Sequence, residues 1–133
     1  MKKRILVIED NEQNLYLIRF LLESADYEVY SAMDSYEGVL MAKSIIPDII
    51  LLDIQLPSLD GYGVAKLIRS HDLTDKIPII AVTSYAMPGD KEKAMEAGCN
   101  GYIEKPIDPE TFIETMESYF TLEKNITNPE DVK

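Results

Sequence analysis

Five short apolar runs divide this chain, and a stretch with helical spacing follows each one. "RILVI" (residues 4–8) is β-branched and continuously apolar, as a strand buried on both faces must be. Residues 13–25, "QNLYLIRFLLESA", then carry Leu15, Ile18, Leu22 and Ala25 on one helical face. "YEVYSAM" reads as a second, weaker strand. The helix after it, residues 35–46, turns Val39, Ala42 and Ile46 inward, with Asp34 and Glu37 spaced as a capping box. Pro47 ends that helix, and "DIILLD" is the third strand. A helix from Gly61 to Ser70, the strand "IPIIAVTS" and a helix through "GDKEKAMEAG" that stops at Gly98 come next. "GYIEK" is a short fifth strand. The last helix opens with Asp108 as N-cap, Pro109 at its first position and Glu110 behind, and would bury Phe112, Ile113, Met116 and Phe120. From Glu123 the chain turns polar. We therefore expect one domain over residues 1–122 and a flexible tail over 123–133, where the sequon Asn125–Thr127 has no role in a cytoplasmic protein.

Five strand–helix units of this kind imply right-handed crossovers onto a parallel sheet with helices on both faces. The expected fold is a doubly wound (βα)5 sheet of five strands in the flavodoxin-like order 2-1-3-4-5. Length permits one such domain: 133 residues are enough to bury a core.

Charge narrows the partners. Acidic residues outnumber basic ones 24 to 13, a formal net charge of −11, and the only basic cluster is Lys2, Lys3 and Arg4. Direct nucleic-acid binding is disfavoured, since neutralising a phosphate backbone needs a basic face. No segment approaches the roughly 20 apolar residues that span a bilayer, and the first apolar run is too short for a signal peptide. With Cys99 as the single cysteine there is no intrachain disulfide, and the expected location is the cytoplasm.

The chemistry lies where strands end. The first strand closes in Glu9 and Asp10, the third in Asp53, the fourth in Thr83 and the fifth in Lys105. Parallel strands present all their carboxyl ends at one edge, with neighbours roughly 4.8 Å apart. In the expected order strands 1 and 3 are adjacent, so three carboxylates meet at the topological switch point. They repel unless a cation lies between them, and an all-oxygen set open to water suits Mg²⁺ or Mn²⁺. A hydroxyl and an ammonium across the same edge could bind the oxygens of a phosphoryl group carried on one carboxylate. Singly, each residue is as well explained by capping or by solvation. Their joint placement is not.

"EDN", "DIQLPSLDG", "AVTSYAMPGD" and "GYIEKPID", in this order and spacing, closely resemble the receiver domain of two-component response regulators. The resemblance covers residues 3 to about 121 and is closest to the stand-alone, single-domain type. It implies that Asp53 is the phosphoacceptor, served by a sensor histidine kinase, a phosphotransfer protein or a small phosphodonor. It implies that Asp10, Asp53 and the backbone carbonyl of Gln55 hold Mg²⁺ directly, Glu9 acting mainly through water. Thr83 and Lys105 would bind phosphoryl oxygens, Thr83 and Tyr102 would form the switch, and Lys105–Pro106 would be a cis peptide. Gln55 and Tyr85 fall at the variable positions that flank attacking water and tune dephosphorylation. The signalling face would be the fourth helix, fifth strand and fifth helix, roughly residues 88–119, offered to a downstream protein. By the same resemblance the chain is a regulatory domain, not an enzyme acting on others, and a monomer or a weak phosphorylation-dependent dimer.

Two other classes fit these residues less well. An aspartyl phosphohydrolase resembles a pattern with a second Asp two residues after the first, where this chain has Gln55. A flavodoxin needs a phosphate-binding loop after the first strand, and "EDNEQN" is acidic where an anion must lie. His71, the only histidine, is at a polar helix end away from the acids, and an exposed helix-terminal role is expected for it. Cys99 is expected to be a small residue near a turn, not a reactive thiol.

Overall fold

The computed structural model describes residues 2–84 and 87–127, with side chains described through residue 120. Strands β1 (Arg4–Ile8), β2 (Glu28–Ala32), β3 (Ile49–Asp53), β4 (Ile79–Thr83) and β5 (Gly101–Glu104) form one parallel sheet in the order β2-β1-β3-β4-β5. Helices α1 (Glu12–Ser24), α2 (Ser35–Ile45), α3 (Gly61–Arg69), α4 (Asp90–Ala97) and α5 (Phe112–Thr127) alternate with them. The expected fold and strand order are those observed.

Continuous apolar runs are required because each central strand buries both faces. Leu6 and Ile8 of β1 join Ile50 and Leu52 of β3 and Ile79 and Ala81 of β4 in the core beneath α2, α3 and α4. Ile5 and Val7 join Ile49, Leu51, Ile80 and Val82 in the opposite core, closed by Ile18 and Leu22 of α1 and Phe112 and Met116 of α5. Each fully buried Leu or Ile contributes on the order of 2 kcal/mol, so the two layers are the main reason the strand ends are held in place.

Side-chain caps start three of the helices, and of these Asp34 is the one the spacing predicts. Asn11 Oδ1 accepts from Asn14 N to cap α1, Asp34 Oδ2 accepts from Tyr36 N and Glu37 N to cap α2, and Asp60 Oδ1 accepts from Gly63 N to cap α3. Gly98, at φ +114°, ends α4 in the left-handed conformation. Three details differ from expectation. Ile46 is not on the buried face of α2: it is the left-handed C-cap, at φ +50° and 37% exposed, because Pro47 disfavours a helical conformation in the residue before it. Ala25 is likewise an exposed C-cap. Regular helix in α5 begins at Phe112, preceded by a turn in which Asp108 Oδ1 accepts from Glu110 N and its carbonyl from Phe112 N. The helical backbone runs to Thr127, into the segment expected to be a polar tail, and residues 128–133 lie outside the described part. Among the described residues, no helix is long and apolar enough to cross a membrane.

Candidate functional site

Register brings the acids together. Ile8 pairs with Leu52, so the residues that follow, Glu9 and Asp53, lie side by side at the carboxyl edge of the sheet. One carboxylate oxygen from each of Glu9, Asp10 and Asp53 lies within 4.8 Å of the others. Glu9 and Asp53 are buried, 1% and 3% exposed, where an unbalanced charge is costly. Partial balance comes from the residue after β5. Lys105 Nζ lies 2.9 Å from Glu9 Oε1 and 3.5 Å from Asp53 Oδ1, and its backbone N–H donates to the carbonyl of Thr83 at 2.8 Å.

Backbone amides orient the two buried carboxylates. Asn11 N donates to Glu9 Oε2 and Gln55 N to Asp53 Oδ1, each at 3.1 Å. One ammonium against three acids leaves the cluster short of positive charge. Burial pushes the Glu9 carboxyl up to about 7, against the bond from Lys105 and helped by the charge of Asp53. An acid that resists ionisation at neutral pH beside two others is what a hard divalent cation relieves. The donor set, oxygen only, fits Mg²⁺ or Mn²⁺.

The cluster forms the floor of a cavity of about 490 Å³, lined also by Asn14, Gln55, Ser84 and Lys105. The β3–α3 loop packs tightly over the end of β3. A Cβ on Gly61 would come within 2.6 Å of the Asp53 carbonyl oxygen, which explains a glycine there. Ser84 Oγ donates to Gln55 Oε1, joining the β3–α3 loop to the segment after β4.

Among the residues expected to share a site, Glu9, Asp10, Asp53, Gln55 and Lys105 converge. Thr83 is fully buried at the end of β4, in register with Glu104, and it does not line the cavity. Tyr102 is half-buried on β5 and faces a different groove, with Met87, Lys91, Glu104 and Thr115. Its hydroxyl pKa is raised by burial, with Asp90 and Glu104 adding to the effect. Tyr85 lies outside the described residues. The Lys105–Pro106 peptide is cis, as the resemblance implied. His71 is half-buried and accepts from Leu73 N through Nδ1, at the end of α3. Cys99 is buried and its thiol is pushed up to about 11, consistent with an unreactive role. Asn14 and Ser84 were not singled out from sequence. Ser84 follows Thr83 directly and Asn14 is in the first turn of α1 after "EDN", so nearness to the strand ends was the available signal.

Comparison with known proteins agrees with this geometry. The family model for the response regulator receiver domain matches residues 5–117. The polar-differentiation response regulator DivK of Brucella anthropi is 44% identical over 119 residues, 90% of this chain and 97% of that protein. Among solved structures, the receiver domain of the sensor histidine kinase PA1611 from Pseudomonas aeruginosa PAO1 superposes with a TM-score of 0.83 at 34% identity. That match covers 91% of this chain and 99% of the other, and that structure has a magnesium ion coordinated in its active site cleft. The chemotaxis protein CheY4 of Vibrio cholerae gives a TM-score of 0.85 at 26% identity, over 90% of this chain and 99% of its own. A match of this extent, together with acids and lysine meeting at one sheet edge, makes the chain a member of the response regulator receiver domain family.

Proposed function

We propose that this chain is a phosphorylation-dependent switch in which Asp53 accepts a phosphoryl group. The observation that carries the reading is the buried Asp53 carboxylate, flanked by two further acids and approached by the Lys105 ammonium at 3.5 Å. A carboxylate oxygen of Asp53 attacks phosphorus, a P–O bond forms, and the bond from phosphorus to the donor breaks. The donor is a phosphohistidine of a sensor kinase or phosphotransfer protein, or a small acyl phosphate, and it leaves with the electron pair of that bond. Glu9, Asp10, Asp53 and the Gln55 carbonyl would hold Mg²⁺ or Mn²⁺. That ion would supply charge neutralisation at the entering phosphoryl oxygens. Lys105 then pairs with a phosphoryl oxygen in place of a bare carboxylate, and the Thr83 hydroxyl takes another.

Output follows from the same edge. Thr83 and Lys105 are joined backbone to backbone, and Tyr102 stands three residues before Lys105 on the strand facing α4 and α5. A shift of Thr83 towards the phosphoryl group would let Tyr102 turn inward, changing the α4–β5–α5 face that a downstream protein reads. Gln55, whose side chain meets Ser84, and Tyr85 would control the approach of water to the acyl phosphate. The phosphorylated form decays by hydrolysis on the protein itself, without turnover of other substrates. We place this activity in the cytoplasm, with the chain a monomer or a weak dimer when phosphorylated, and the domain over residues 1–122.

Incubation with ³²P-labelled acetyl phosphate, with and without Mg²⁺, tests the reading. Stoichiometric labelling that requires Mg²⁺ and is absent in Asp53→Asn is expected. No labelling, or catalytic turnover of a generic phosphomonoester, would overturn it.

A further inference from the structure

The N-terminus of α2 grips the β3–α3 loop through a buried polar contact. Ser35, the first residue of α2, is fully buried. Its Oγ donates to the carbonyl of Leu59 and accepts from Leu59 N at 3.4 Å. Beside it, Asp34 Oδ1 accepts from Ser58 Oγ at 3.5 Å. Two consecutive loop residues, Ser58 and Leu59, are thus tied to the N-cap and the first residue of α2. Helix capping does not account for Ser35, because Asp34 already caps α2 through Tyr36 N and Glu37 N. A buried hydroxyl is costly unless it is bonded, and this one spends both donor and acceptor on a single residue 24 positions away.

The base of the same loop is also pinned, since the carbonyl of Ile54 accepts from Leu56 N at 3.0 Å and Gly61 N at 2.8 Å. Between the two anchors lies Gln55, whose amide orients the Asp53 carboxylate. Ser35 therefore reaches the acid cluster through one short, doubly anchored loop, its hydroxyl bonding Leu59 at the far end of that loop.

We propose that Ser35 is a positioning residue for the metal and phosphorylation site, holding the β3–α3 loop so that Gln55 N stays on Asp53 and thereby setting the affinity for a divalent cation. The inference rests on the reading of Glu9, Asp10, Asp53 and Gln55 as the cation site. Partners that orient ligands from outside the coordination sphere commonly change metal affinity by ten-fold or more when removed.

The test is a titration of the ¹⁵N-labelled protein with MgCl₂, followed by amide shifts, in the parent, Ser35→Ala and Thr74→Val. Thr74 is the control: it is also fully buried, and its Oγ1 donates to the Ile68 carbonyl at 2.6 Å near the C-terminus of α3. Ser35→Ala should weaken Mg²⁺ binding roughly ten-fold. It should also speed amide exchange at Gln55 and Leu59 in the metal-free protein. Thr74→Val should lower the melting temperature comparably and change neither. If Ser35→Ala proves too unstable to titrate, Ser35→Gly, which also removes the hydroxyl, carries the same expectation. A parent that binds Mg²⁺ while the Ser35 variant binds it equally well overturns the positioning role alone. A parent that binds no Mg²⁺ overturns the metal reading itself, and this inference with it.

Discussion

Replacing Asp53 with Asn preserves shape and removes one charge from a cluster whose oxygens lie no more than 4.8 Å apart. At an effective dielectric of about 20, each acid–acid pair at that distance repels by ~3.5 kcal/mol. Lys105 Nζ at 3.5 Å attracts Asp53 by ~5 kcal/mol on the same scale. With Glu9 and Asp10 both ionised, repulsion exceeds attraction by ~2 kcal/mol, or ~1 once water screening at the more open Asp10 is allowed for. The balance reverses with pH. Glu9 is held neutral below about 7, one repulsion disappears, and the attraction of Lys105 for Asp53 prevails. Thermal melts in EDTA should therefore show Asp53→Asn melting higher than the parent at pH 8.5, by ~4 °C for ~1 kcal/mol in a domain of this size. At pH 5.5 the mutant should melt level with the parent or below it. Added Mg²⁺ should raise the parent more than the mutant, because a ligand stabilises only the native state it occupies. A mutant that melts lower than the parent at pH 8.5 in EDTA would refute the claim that crowded charge at this strand end is a stability cost.

Three further outcomes are expected. The metal-free protein should lose stability as pH rises from about 4.5 to about 7, because folded Glu9 retains a proton that the unfolded chain releases, and Glu9→Gln should flatten that slope in pH-dependent urea melts. A parent whose stability rises across this window, or a slope unaltered in Glu9→Gln, would contradict the burial of Glu9 as its cause. Beryllofluoride with Mg²⁺ should shift amides across residues 88–119, and shifts confined to the loops around Asp53 would sink the coupling through Thr83 and Tyr102. Tyr85→Ala should shorten the lifetime of the labelled protein by admitting water to the acyl phosphate, so an unchanged or longer lifetime would remove Tyr85 from that role.

Much of the site was legible because two simple rules suffice to find it. A parallel sheet sends every strand's carboxyl end to one edge, so Glu9, Asp53 and Lys105 share that edge once the strands are identified. Strands buried on both faces are hard to mistake, and β1, β3 and β4 are of that kind. What escaped depends on contacts distant in sequence or on backbone detail. Ser35 bonds a residue 24 positions ahead, and a serine at a helix start has many ordinary explanations. The Ser84–Gln55 pair joins two loops whose approach no spacing reveals. Ile46 had the right periodicity for the core, but the proline after it governs its backbone and turns it out. Thr83 was rightly located at its strand end, yet its side chain is buried beside the cavity instead of lining it.

The central claim is that Asp53 carries the phosphoryl group, and one measurement addresses it without any partner. The protein is treated with acetyl phosphate and Mg²⁺, reduced with borohydride and digested for peptide mass mapping. An acyl phosphate on an aspartate is reduced to the alcohol, converting that residue to homoserine, while free carboxylates are left unchanged. Homoserine is expected at position 53 and nowhere else, dependent on both acetyl phosphate and Mg²⁺. Homoserine at position 10, the five-carbon alcohol 2-amino-5-hydroxypentanoic acid at position 9, or an unreduced Asp53 in a protein that has demonstrably taken up phosphate, would contradict it.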